Sequence, residues 1–172
     1  LKWMQNNLMD PKWTSGNELK YLQEVISNSS EVKKNPFTDR LEDAFCEKYD
    51  VKYAIAVNSG TSGLHAALVA AGVKPGDEVI TTPFTVLVDS SVPVIMGADP
   101  IFADIDPETH NIDPKSIQER ITKKTKAIIP VAHDGLPYDI DQVKKLADEN
   151  DIIVVEDNAQ AMLAEYKGRY VG

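Results

Sequence analysis

Asp151-Ile152-Ile153-Val154-Val155-Glu156-Asp157-Asn158-Ala159-Gln160-Ala161 sets an apolar, β-branched run directly before two acids and an amide. The run reads as a buried strand over Asp151 to Val155. Its end carries Asp157, and Gln160 follows three residues later. In open α/β sheets ligands sit just outside the carboxyl ends of the strands. An acid there can hold a cationic ring nitrogen, and a neighbouring amide can hydrogen-bond a ring oxygen. The same acid can equally cap a following helix, and the pattern alone leaves both readings open.

Working outward, the same alternation recurs. Ala127 to Val131 reads as a strand and Asp139 to Asn150 as a helix. Pro100 to Asp104 is a strand, and Asp113-Pro114 opens a short helix with proline at its first position. Glu78 to Thr81 is a strand after the Lys74-Pro75-Gly76-Asp77 turn. Phe84 to Met96 is ambiguous, its length favouring a helix and Pro93 opposing one. Lys52 to Val57 reads as a further strand, and Thr61 to Ala71 as a helix that stops at Gly72. Tyr166 to Tyr170 reads as a tight hairpin. Alternation from Lys52 to Val155 predicts an α/β fold with a mostly parallel sheet. Right-handed crossovers then place all strand carboxyl ends on one edge.

Before this region, Asn17 to Ser30 reads as a helix with Leu19, Leu22, Val25 and Ile26 on one face. Thr38 to Tyr49 reads as another, with Asp39 and Glu42 at capping-box spacing and Cys46 as a small core residue. Residues 1–36 form an N-terminal helical segment in this reading, and 37–172 the main domain.

The 172 residues suffice for a sizeable core, and the content is ordinary for a globular protein, 42% hydrophobic and 26% charged. A net charge of −9 argues against non-specific binding to nucleic acid or anionic membranes. One cysteine permits no internal disulfide. The first seven residues lack the apolar stretch of a signal peptide, and the cytoplasm is the default expectation.

A second loop on the same edge, Asn58-Ser59-Gly60-Thr61-Ser62-Gly63, lies between the strand and a helix N-terminus. Free amides and the helix dipole suit an anion there, and Thr61 and Ser62 add hydroxyls. A glycine-softened turn with a Ser/Thr cap explains the same residues. Neither the Walker pattern nor the dinucleotide fingerprint is present. A phosphate loop and a distant acid together suit pyridoxal phosphate, whose cationic ring nitrogen an aspartate keeps protonated.

Residues 58–68, 76–85, 104–114 and 156–161 resemble the DegT/StrS-type sugar aminotransferases in order and spacing. The resemblance implies the three-layer large domain of fold-type-I pyridoxal-phosphate transferases. It implies an amino-group transfer from glutamate or glutamine to a nucleotide-linked keto-sugar, by a homodimer with active sites near the interface. Thr61 and Ser62 would bind the cofactor phosphate, Asp157 the pyridinium nitrogen and Gln160 the ring hydroxyl. Ala159 would lie against one ring face and Val86, where the family usually places an aromatic residue, against the other. The family's Schiff-base lysine belongs to a motif beyond Gly172, so no catalytic residue is assigned. The lysines at 74, 123, 124, 126 and 167 read as surface charges, and His65 and His110 as structural. No metal site is expected. Departures from the pattern are Ala132-His133-Asp134-Gly135, with its histidine displaced by one, Asn158 in place of alanine, and Met162-Leu163 in place of His-Gly. Alternatives are a sugar dehydratase of the same family, in which histidine replaces the lysine, and a non-catalytic fragment or binding module.

Overall fold

A computed structural model describes residues 15–28 and 36–172. The N-terminal stretch judged for a signal peptide lies outside the described residues. Two compact units divide the chain, 1–56 and 57–172.

The first unit holds helices α1 (Glu18–Asn28) and α2 (Pro36–Tyr49). The apolar stripe of α1 is exposed, Ile26 by 71%. Arg40 lies over the rings of Phe37 and Tyr21 and pairs with Glu24. Three expectations are corrected here. Helix α2 starts at Pro36, upstream of Asp39, so no capping box forms, and the Glu42 carboxylate instead accepts the Ala56 amide at 2.7 Å. Cys46 is half-buried rather than core. Lys52–Val57 is not a strand: among the described residues nothing pairs with it, and Tyr53 and Ile55 are 74% and 81% exposed. A strand exists only where a neighbour supplies the complementary N–H and C=O groups, whatever its side-chain pattern.

The second unit is a parallel α/β sandwich. Its elements are α3 (Gly60–Ala70), β1 (Glu78–Thr81), α4 (Val88–Ile95), β2 (Asp99–Phe102), α5 (Pro114–Arg120), β3 (Thr125–Ile128), α6 (Ile140–Asn150) and β4 (Ile153–Val154). The strands order β2-β1-β3-β4, all parallel. Successive side chains point to opposite faces, so Val79 and Ala127 enter one core while Ile80 and Ile128 enter the other. Leu64 and Leu68 of α3 and Val92 of α4 close the first core. Ile117 of α5 and Val143 and Ala147 of α6 close the second. These are the three expected layers.

The ambiguous Phe84–Met96 segment resolves into a loop and α4. Pro93 is tolerated because α4 is short: the proline lies six positions into an eight-residue helix and its bulk enters the buried face. Asp113 and Asp139 cap α5 and α6 through the Lys115 and Gln142 amides. The final hairpin pairs β5 (Glu165–Tyr166) with β6 (Arg169–Tyr170). Lys167 and Gly168 at its turn both have positive φ, the conformation that two-residue hairpins require.

Travel along the sheet reverses after β2, and the connecting helix changes face with it, as right-handed crossovers demand. The reversal makes a switch point between β1 and β3. The candidate residues gather at the carboxyl edge beside it.

Candidate active site

Asp157 is held by the sheet itself. Beyond the regular strands, Asp157 bridges Val131 in parallel. Its amide donates to the Pro130 carbonyl at 3.0 Å, and its carbonyl accepts from the Ala132 amide at 3.2 Å. Its Oδ1 accepts the Ala159 amide at 2.9 Å. No helix follows within the next several residues, so the acid closes a local turn rather than a helix cap.

The neighbouring Glu156 is occupied elsewhere. Asn158 Nδ2 donates to it at 3.1 Å, and its charge reaches the buried Tyr138 hydroxyl. Burial first, and then the charge of Glu156, push the Tyr138 hydroxyl well above the usual phenol range, so it remains a donor.

Ser59 caps α3. Its Oγ accepts the Ser62 amide at 3.2 Å and lies 3.0 Å from Ser62 Oγ. The first intrahelical bond runs from the Gly63 amide to the Ser59 carbonyl. The amides of Gly60 and Thr61 precede it and have no intrahelical acceptor. A Cβ on Gly60 would meet nothing within 4 Å, so the backbone there is open to an approaching group. The cap reading is therefore satisfied by Ser59, while the Gly60 and Thr61 amides remain open to an approaching group.

A cavity of about 510 Å³ joins the two loops. Gly60, Thr61 and Gly63 line one part, Glu156, Asp157 and Ala159 another, with Val86 and Leu64 among the apolar walls. Of the six sequence-predicted cofactor residues, Thr61, Val86, Asp157 and Ala159 meet here. Ser62 and Gln160 do not line the cavity: Ser62 turns to Ser59, and Gln160 Oε1 accepts the Asp134 amide at 2.8 Å. Gln160 Nε2 is left to donate.

One group went unnoticed in the sequence, and a second was read there only as structural or as a departure from the family pattern. Asp89, in the first turn of α4, is fully buried. Its Oδ2 accepts from Thr85 Oγ1 at 2.6 Å, and its Oδ1 is buried without a partner. An acid four residues after a threonine, inside an apolar segment, was the available signal. On the same edge, Phe84 packs against His110 and His133, with ring centroids 5.6 and 4.7 Å away. His110, His133 and Asp134 offer ligand atoms within 4.8 Å of one another, an arrangement compatible with a cation.

No lysine lines the cavity. Lys167 pairs with Asp141 at the hairpin. His65 lies exposed on α3, and His110 sits in a turn with φ +60°.

Residues 14–172 match the model of the DegT/DnrJ/EryC1/StrS aminotransferase family. The chain belongs to this family. An uncharacterised protein of Methanocaldococcus jannaschii is 44% identical over 153 residues, spanning 88% of this chain and 40% of that protein. An aminotransferase of Psychrobacter cryohalolentis superposes with a TM-score of 0.88 at 41% identity, covering 92% of this chain and 40% of the other. A GDP-4-keto-6-deoxymannose-3-dehydratase with a trapped PLP-glutamate geminal diamine superposes at 0.83 with 30% identity, covering 93% and 43%. The chain thus spans about two fifths of the length of these relatives. The second unit is accordingly part of the large domain of the fold-type-I pyridoxal-phosphate transferases. No described helix is long and apolar enough to cross a membrane.

Proposed function

We propose that this family member is part of a pyridoxal-phosphate enzyme that transfers an amino group from glutamate or glutamine to a nucleotide-linked keto-sugar and works as a homodimer. The observation that carries the reading is the cavity itself, lined both by residues of the α3 N-terminus and by Asp157. Its donor set fits the cofactor: hydrogen-bond donors for a phosphate, an acid for a ring cation, and apolar walls for a flat ring.

In this reading the Gly60 and Thr61 amides and the Thr61 hydroxyl hold the phosphate, helped by the α3 dipole. Ser62, whose amide is given to Ser59, would contribute its hydroxyl by turning it from Ser59 to the phosphate. Asp157 pairs with the ring N–H. Val86 and Ala159 pack on the two ring faces and exclude water. Gln160 Nε2 donates to the ring oxygen while its Oε1 holds the Asp134 amide. The bound cofactor supplies an electron sink for carbanion chemistry. The lysine that anchors it is proposed to come from the complete protein outside these 172 residues.

Reduction of the complete protein with borohydride after loading with pyridoxal phosphate tests this. One stoichiometric adduct on a single lysine outside the present sequence is expected. An adduct on a lysine of this chain, or scattered labelling, overturns it. The similarity to a keto-sugar dehydratase favours one second reading, removal of a hydroxyl group from the same class of sugar. Retained cofactor binding without any lysine adduct, and a deoxy rather than an amino product, selects that reading.

A further inference from the structure

His110, His133 and Asp134 come together outside the cavity, and one ligand atom from each lies within 4.8 Å of the others. No sequence spacing joins them, because the two histidines belong to separate turns that only the fold brings together. His133 and Asp134 fall where this chain departs from the family pattern, so family membership does not account for the group. Both turns are held. In the first, the His110 amide donates to the Asp106 carbonyl at 2.8 Å, and Asp106 Oδ1 accepts the Glu108 and Thr109 amides at 2.8 and 3.0 Å. In the second, the Leu136 amide closes on the His133 carbonyl at 2.9 Å, and the Asp134 amide donates to Gln160 Oε1 at 2.8 Å. The buried Asn111 ties the two turns together: its Oδ1 accepts the His133 amide at 2.9 Å, and its Nδ2 donates to the Leu136 carbonyl at 3.0 Å.

The His133 ring is the unsatisfied member. Its Nδ1 is buried with no hydrogen-bond partner. Its Nε2 stands 3.6 Å from Asp134 Oδ2, beyond hydrogen-bonding distance. An imidazole with neither nitrogen engaged is uncommon at this depth, and no hydrogen bond competes with an ion for it. Asp134 makes no other ion pair among the described residues. We propose that His110, His133 and Asp134 form a binding site for one divalent transition-metal ion of the zinc class, which ties the His110 turn to the His133 turn beside Gln160.

The donor set selects the ion. Two imidazoles with one carboxylate suit zinc and its neighbours, whereas magnesium and calcium take oxygen ligands. Bonds of about 2.0–2.2 Å hold tetrahedral ligand atoms about 3.5 Å apart, so the widest separation here must shorten by about 1 Å. The side chains allow it. His133 is the fixed ligand, with 16% of its side chain exposed and the Phe84 ring packed on it. Asp134, with 82% of its side chain exposed, and the exposed His110 are free to swing inward. Three protein ligands leave a fourth coordination position for water. The proposal does not depend on the cofactor reading, since none of the three residues lines the cavity.

Calorimetric titration of zinc chloride into the complete, tag-free protein, freed of metal by a chelator and dialysed, tests the site. Saturable uptake that excess magnesium does not displace is expected. His110 and Asp134 both have positive φ, +60° and +50°, a conformation that asparagine tolerates. His110→Asn and Asp134→Asn therefore remove the ligands and keep the backbone. Each is expected to weaken zinc about tenfold or more, a loss that even outer-shell partners of a metal cause. The double variant is expected to take up one ion per chain fewer than the parent. No saturable uptake by the parent, or the same affinity and stoichiometry in the double variant, overturns the proposal. If the double variant fails to fold, X-ray absorption at the zinc edge of the loaded parent decides. A shell with two imidazoles and carboxylate oxygen supports the site; sulfur in the shell, or fewer than two imidazoles, overturns it.

Discussion

Val131 and Asp157 face each other across a parallel bridge three residues beyond the regular ends of β3 and β4. The bridge fixes the Asp157 backbone by two hydrogen bonds, and the Ala159 amide steadies its side chain. A charge-pairing acid is effective only when its geometry is set before the ligand arrives. The sheet sets the backbone of this acid before any ligand arrives.

Asp157→Ala in the complete protein is expected to abolish turnover and to weaken pyridoxal phosphate binding by at least about tenfold, since it removes the partner of a ring cation. Absorbance titration of the apoprotein measures it. Unchanged turnover in the variant would sink the assignment of this residue.

Val86 is 58% exposed and lines the cavity. A valine packs on a ring but cannot stack. Val86→Phe is expected to tighten cofactor binding about three- to tenfold, the scale of a single aromatic contact. Equal or weaker affinity would mean that position 86 does not lie over the ring.

The buried acid makes a pH signature. Asp89 titrates near 6 when folded against an ordinary value of 3.8. Between these values the folded protein keeps a proton that the unfolded chain has released. Its contribution is therefore full below about pH 4 and is lost as the pH rises through about 6. Among exposed carboxylates, backbone amides of the Thr109 turn hold Asp106 low, and Lys167 does the same for Asp141. Both act at lower pH and in the opposite sense. The difference between parent and Asp89→Asn unfolding curves isolates the Asp89 share, on the order of 1 kcal/mol or more.

Gly97 has φ +78°, and a Cβ there would lie 3.1 Å from Pro75 Cβ. Its carbonyl accepts the Gly76 amide at 2.8 Å, joining the turn before β1 to the one before β2. Gly97→Ala combines left-handed strain with a close contact and is expected to destabilise the second unit by about 1–3 kcal/mol. Chemical denaturation reads this directly. A change below about 0.5 kcal/mol would show that the two turns can shift together.

Much of the fold is legible locally. The strands at 78–81, 99–102 and 125–128 and the helices that α3, α5 and α6 became follow from residue periodicity and from caps at Ser59, Asp113 and Asp139. The loops that carry Thr61 and Asp157 are legible too, because strand ends and helix starts are marked by composition. The Lys52–Val57 segment was misread for a physical reason: its alternation is local, but strand pairing is not.

What the sequence by itself determined is the order of strands and helices, and the residue types at each carboxyl end. Those are properties of neighbours along the chain, set by side-chain periodicity and capping. Tertiary structure alone decided which of these residues share a cavity. It brought Thr61, Val86, Asp157 and Ala159 together while turning Ser62 to its cap and Gln160 to Asp134. It also removed Asp89 from water, within reach of the charge of Asp157. Burial and through-space charge depend on contacts across some seventy residues of chain, which no local pattern records.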